Sequence, residues 1–295
     1  MAEAAIAARP AARRTTVMPY WLCAPALALY GLLLAAPLAM IFVLSFNGFS
    51  DTKGILPTYS LANYVSVLTD PYYQRIYLRT LRIALITTAI CTLIGTPEAW
   101  ILSRLDPRWR GVSLLVVLGP LLISVVVRTL GWTILFAREG LLNQALLGLG
   151  LAERPVDLLY TETGIVVALV HVLVPFMVIA VWTALRLVDP AGEAAALSLG
   201  ASKAKVFRRV VLPQALPGVL SGSLIVFSLA ASAFATPALI GGRRLKVAAT
   251  SIYDNFLFTL DWPTGAAIAV ILVACVMAIV LLWSRVLERR DAVRA

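Results

Sequence analysis

Long, nearly charge-free stretches recur along this sequence, and each is long enough to cross a bilayer. They run from Tyr20 to Phe46, from about Ile76 to Leu102, from Val112 to Phe136, from Ile165 to Leu185, from Ala215 to Ile240 and from Thr264 to Trp283. The second is free of charge only between Ile83 and Pro97, and the third is interrupted by Arg128 alone. A membrane helix needs about 20 apolar residues, so the pattern predicts an all-α membrane protein with six transmembrane helices. Charged residues make up only 14% of the chain, against about 25% in a soluble domain. With a mean hydropathy of +0.91, the chain has too few charges to face water all round. Pro37, Pro175 and Pro237 fall inside the runs, which membrane helices tolerate because neighbouring helices satisfy the freed carbonyls.

The net charge of +10 invites a nucleic-acid reading, but its placement argues for topology instead. One set of alternate segments holds Arg9, Arg13, Arg14, Arg104, Arg108, Arg110, Arg186, Lys203, Lys205, Arg208, Arg209, Arg285, Arg289, Arg290 and Arg294. The other set holds Lys53, Arg75, Arg79, Arg82, Arg138, Arg154, Arg243, Arg244 and Lys246. The bias of 15 against 9 places both termini in the cytoplasm and removes the need for a nucleic-acid partner. The first apolar run is too long for a cleaved signal peptide and reads as an uncleaved span. Cys23, Cys91 and Cys275 lie in apolar runs without metal spacing and read as packing residues.

One segment departs from generic membrane helix: DPAGEAAALSLGASKAKVFRRVVLP, Asp189 to Pro213. Pro190 suits a first helical turn, and Glu193, Ala194, Ala195, Ala196 and Leu197 favour helix. Gly200 breaks it. Val206, Phe207 and Val210 then share one apolar face, with Lys203, Lys205, Arg208 and Arg209 on the others. The expected structure is a short helix, a glycine turn and a second short helix, with Pro213 at the entry to the fifth span. Small residues admit a close partner surface, and the apolar face suits either a groove on a partner or the surface of an anionic membrane.

This loop resembles the EAA loop of ABC importer permeases: Glu-Ala-Ala, three residues, Gly, nine residues, an aliphatic residue, one residue, Leu-Pro. Counted from Gly200, which Ala201 follows, Val210 takes the aliphatic place and Leu212-Pro213 the last two. Ala195-Ala196 take the Ala-Ala places, but the Glu place falls on Ala194, with Glu193 one residue earlier. The resemblance extends over nearly the whole chain and narrows to the spermidine/putrescine-type branch. It is carried by VVVRTLGW (Val125 to Trp132), GLLNQAL (Gly140 to Leu146), VLVPFMV (Val172 to Val178), LPGVLSGSLIVF (Leu216 to Phe227), ATPALIGG (Ala235 to Gly242) and DWPTGAA (Asp261 to Ala267). The same branch includes permeases for thiamine, iron, phosphonates and opines.

The resemblance implies a type I ABC importer permease fold in the bacterial inner membrane. It implies a cytoplasmic tail at 1–16, a permease domain at 17–287 with a coupling loop at 187–213, and a tail at 288–295. It also implies a second homologous permease, two ATPase subunits and a periplasmic substrate-binding protein. Glu193, Ala194, Ala195, Ala196, Gly200, Ala201, Phe207, Leu212 and Pro213 would dock the ATPase.

The sequence contains no G-x-x-x-x-G-K-[S/T] phosphate loop. ATP and Mg are therefore expected on the partner ATPase, with no cofactor, metal or catalytic residue in this chain. Arg128 and the lone histidine, His171, lie within spans, where polar groups face the bundle interior or water. Arg128 precedes Phe136 by about two turns, so it reads either as a paired, snorkelling side chain or as pathway lining together with Trp132 and His171. Glu98 is placed to pair with Arg104. For a cationic solute, Trp132, Glu139, Asp157 and Asp254 are candidate contacts by residue type. A self-contained carrier or channel is the rival reading, but paired broken helices with midplane charges in both halves are not evident. A membrane-embedded enzyme would need clustered His, Asp or Glu, which a single histidine does not supply.

Overall fold

The computed structural model describes residues 18–188 and 191–292. The expected 1–16 tail with Arg9, Arg13 and Arg14, the Asp189-Pro190 pair that opens the loop, and Arg294 lie outside the described residues. The chain begins with α1 (Met18–Leu44) and a two-stranded antiparallel hairpin, β1 (Asn47–Ser50) and β2 (Gly54–Tyr59). It continues through α2 (Ala62–Thr69), α3 (Pro71–Arg104), α4 (Pro107–Leu122), α5 (Val125–Phe136), α6 (Leu141–Gly148) and α7 (Glu162–Leu185). Then come α8 (Ala191–Ser198), α9 (Lys203–Val206), α10 (Leu212–Ala231), α11 (Ala248–Leu257) and α12 (Trp262–Ala292). Among the described residues the regular structure is helical apart from the hairpin, which hydropathy did not signal. Asn63 pins the hairpin by donating from Nδ2 to the Ser45 and Asn47 carbonyls at 2.9 and 2.8 Å.

The centre is a three-helix stack of α3, α7 and α10. Its buried core includes Ile83, Cys91 and Leu102 from α3, Ile165, Leu169 and Val181 from α7, and Ala215, Val226 and Phe227 from α10. Apolar burial separates helices poorly from lipid, so close approach has to come from small residues. A Cβ on Gly218 would lie 2.5 Å from the Ala184 Cβ and 2.8 Å from the Ala180 carbonyl. Met177 is clamped between two such sites, because a Cβ on Gly95 or Gly222 would meet its side chain at 2.9 or 2.7 Å. Thr92 and Ser223 add a hydroxyl contact of 3.2 Å between α3 and α10. A smaller core joins α2, α3, α11 and α12 through Val67, Ile76, Ala248, Ile268 and Leu272. The long apolar helix α1 is exposed over its described side chains except Ile41 and Leu44, which are half-buried, and it touches the rest chiefly at α12.

Four of the expected spans correspond to α1, α3, α7 and α12. Two differ. The third is not a continuous helix: α4 and α5 meet at Ile123-Ser124 with a bend of 92°. Pro120 weakens the end of α4, and the β-branched run from Val125 to Val127 starts a new helix in another direction. The fifth span ends at Ala231, well before Ile240, and the chain passes through a π-type turn at Pro237–Gly241. At its other end it begins early. α9, a π-type turn at Phe207–Val211 and α10 form one run, Lys203–Ala231. Pro213 has no N–H to give, and the widened turn accommodates this: the Leu212 N–H reaches back five residues to the Phe207 carbonyl. The second loop helix is thus an extension of the fifth span rather than a separate element.

Candidate functional site

At the Arg104 end of α3 the 191–213 loop folds back on the helix bundle. Glu193, in the first turn of α8, is ion-paired with Arg104 in the last turn of α3. Arg104 therefore pairs with Glu193 and not with Glu98, because the loop brings a carboxylate across from a distant part of the chain. Below this pair lies a cavity of about 430 Å³ lined by Trp100, Ile101, Leu105, Leu197, Lys203 and Val206 among others. Phe207 packs its ring against Trp100 at 4.9 Å, and Val206 is fully buried. Val206 thus points into this chain and Phe207 lies against Trp100 of α3, while Phe207 and Val210 remain half-buried.

The outward surface of the loop is made by other residues. Ala194, Ala195, Leu197, Ser198 and Leu199 are exposed, Leu199 at 88%. Ala196 and Ala201 pack inward against the core. Gly200 adopts φ +78°, the left-handed region that favours glycine. A Cβ there would meet nothing within 4 Å, so the backbone angle, not crowding, requires glycine at this turn. Leu212 and Pro213 form the first turn of α10 and are half-buried.

Arg128, Trp132 and His171 are brought together where the third span breaks. Arg128 is only 8% exposed. Its Nη1 donates to the Pro120 carbonyl, one of the carbonyls freed at the end of α4. A cation at a helix C-terminus is also favoured by the helix dipole. The Arg128 Nε is buried with no partner among the described residues, beside a cavity of about 360 Å³ lined largely by apolar side chains of α5, α7 and the end of α10. One turn further along α5, Trp132 donates from Nε1 to His171 Nδ1 at 3.2 Å, with the two rings edge-on. Nδ1 must then carry a lone pair. Arg128 thus bonds backbone at the break and borders a cavity.

The other residues selected by type do not join this site. Asp157 pairs with Arg138 at 3.3 Å on an exposed surface, and Asp254 pairs with Lys246 at 2.7 Å. Glu139 is exposed.

Residues 15–292 match the family described as the binding-protein-dependent transport system inner membrane component. The chain belongs to this family. Its similarity to the spermidine/putrescine transport system permease protein PotB of Escherichia coli (strain K12) is 34% identity over 258 residues, covering 86% of this chain and 93% of that protein. PotB of Haemophilus influenzae is 30% identical over 226 residues, covering 77% and 79%. Among solved structures, a bacterial alginate ABC transporter bound to its alginate-loaded periplasmic protein matches with a TM-score of 0.75 at 18% identity, over 92% of this chain and 94% of that one. The inward-facing MetNI methionine ABC transporter matches with a TM-score of 0.57 at 18% identity, over 75% and 99%. These structural likenesses establish the fold, that of type I ABC importer permeases. As a member of this permease family, the chain has its broken third span and its folded-back loop set in a helix bundle of known transport architecture.

Proposed function

We propose that this chain is one permease half of an ATP-driven importer that carries polyamines, spermidine or putrescine, across the bacterial inner membrane. The observation that carries the substrate class is the 34% identity to PotB over 86% of the chain. In this reading both termini are cytoplasmic. A second permease completes the pathway, a periplasmic binding protein delivers the solute, and two ATPase subunits hold ATP and Mg. The loop with Glu193, Ala194, Ala195, Ala196, Gly200, Ala201, Phe207, Leu212 and Pro213 docks the ATPase, mainly through its exposed alanine and leucine surface. ATP binding closes the ATPase dimer, the docked loops follow, and the two permeases rock as rigid bodies to open outward; hydrolysis resets them. The permanent charge of Arg128 disfavours an amine beside it, whereas Trp132 and His171 offer aromatic surfaces that suit an ammonium group.

The test is uptake of labelled spermidine and putrescine into host cells with and without this chain. Unlabelled thiamine, ferric iron, phosphonates and opines serve as competitors. Loss of polyamine uptake on deletion, with no effect of the competitors, is the expected result. Unchanged polyamine uptake rejects the substrate.

A further inference from the structure

The cavity of about 430 Å³ between the Arg104 end of α3 and the loop helices α8 and α9 has the make-up of a ligand site. Such sites run from about 300 to 1,000 Å³, with mostly apolar walls and a few placed polar groups. Here Trp100, Ile101, Leu105, Leu197 and Val206 supply the apolar wall, and the charges come from Arg104, Glu193 and Lys203. Those charges do not cancel. Glu193 is held by Arg104, and its side chain is 14% exposed. Lys203 is exposed and has no ion pair among the described residues. Trp100 adds an unmet donor. Its indole N–H is buried without an acceptor among the described residues, whereas buried donors are normally paired.

The cavity lies at the edge of the bilayer. The apolar run of α3 ends at about Leu102, and Arg104 is two residues beyond it, about 3 Å along the axis. Ile101, in the last apolar turn, is 56% exposed. An apolar wall at the end of a span, topped by a free ammonium, matches a molecule with an acyl chain and an anionic head. A soluble phosphate would leave that wall uncovered. The acyl chain gains little by leaving the bilayer, since lipid tails are as apolar as leucine. Selection must therefore come from the headgroup. One cation near an anionic leaflet gives roughly a fivefold preference.

We propose that this cavity binds an anionic phospholipid from the leaflet at the Arg104 end of α3. Its phosphate meets Lys203 and Arg104, and one acyl chain lies against Trp100, Ile101 and Leu197. A zwitterionic phospholipid brings its own cation toward Lys203 and is disfavoured. The phosphate competes with the Glu193 carboxylate for Arg104, so lipid binding and the Arg104–Glu193 pair oppose each other. An anionic leaflet thereby loosens the tie between α8 and α3.

The experiment uses the assembled transporter in phosphatidylcholine nanodiscs with a minor fraction of phosphatidylglycerol carrying a photoreactive diazirine on its acyl chain. Labelling of the peptides from Trp100 to Leu105 and from Leu197 to Val206 is read by mass spectrometry, beside K203Q and E193Q. The wild type should be labelled several-fold more by this lipid than by diazirine phosphatidylcholine at the same fraction. K203Q should lower the labelling about fivefold. E193Q, which frees Arg104, should raise it. Simple damage to the loop would move both variants the same way. Equal labelling by the two lipids overturns the proposal, as does labelling that K203Q and E193Q leave unchanged. Absence of label at these peptides also overturns it, and is the result expected if a partner subunit covers the cavity. Loss of label in excess inorganic phosphate assigns the site to a free anion and overturns it too. Uptake is not read, so failure of the polyamine reading leaves these outcomes intact.

Discussion

The guanidinium of Arg104, in the last turn of α3, holds the carboxylate of Glu193 in the first turn of α8. Glu193 stands one place before the glutamate of the family pattern, and the structure turns it toward its own helix bundle. A loop helix tied to α3 in this way moves with α3. If the loop couples to an ATPase, the pair transmits that motion.

Glu193→Gln keeps the size and removes the charge. Arg104 is 43% exposed, so solvent screening limits the stability loss to under about 1 kcal/mol, and the protein folds. Uptake should fall several-fold while the complex still hydrolyses ATP. The charge swap R104E/E193R should restore part of the uptake. Paired uptake and ATPase assays on membranes of equal permease content check this; unchanged uptake in Glu193→Gln removes the pair from coupling.

At Gly200 the constraint is the φ of +78° and not space. Gly200→Ala should cost about 1–2 kcal/mol, Gly200→Asn less, and Gly200→Leu about as much as Ala because a Cβ there meets no neighbour within 4 Å. A β-branched Val should cost most. Thermal unfolding of the detergent-solubilised complex gives the order, and uptake should follow it. A Leu variant far worse than Ala would show that a partner occupies the space beside the turn.

Hydropathy sums made most of the spans legible, because each is a one-dimensional property of about 20 residues. They are blind to direction. Both arms of the third span are equally apolar, so the 92° bend between Leu122 and Val125 leaves no mark in a charge-free window; Pro120 was the available signal. The fifth span read too long because the charge-free run continues past the end of α10 at Ala231 into the π-type turn at Pro237–Gly241. The loop motif was legible in its spacing, yet its orientation was not. Which face of Val206, Phe207 and Val210 is covered depends on Trp100, and the partner of Glu193 is 89 residues away. A cavity of about 260 Å³ joins Arg75 to Arg243 and Arg244 across nearly twice that separation, which no local pattern encodes.

Arg128 gives the sharpest separation of structure from transport. Its guanidinium satisfies the Pro120 carbonyl at the break, while its Nε lies buried without a partner among the described residues. Arg128→Met fills much of the same volume but leaves that carbonyl unanswered, at a cost of about 1–3 kcal/mol, and frees the junction of α4 and α5. The Met variant should therefore lose membrane abundance and unfold at lower temperature. Arg128→Lys keeps one charged donor and should retain most of the abundance. Uptake per folded Lys variant then isolates any role in the pathway, because the break is held in both proteins. Equal abundance and stability for Met, Lys and the wild type would show that the bond to Pro120 does not hold the broken span.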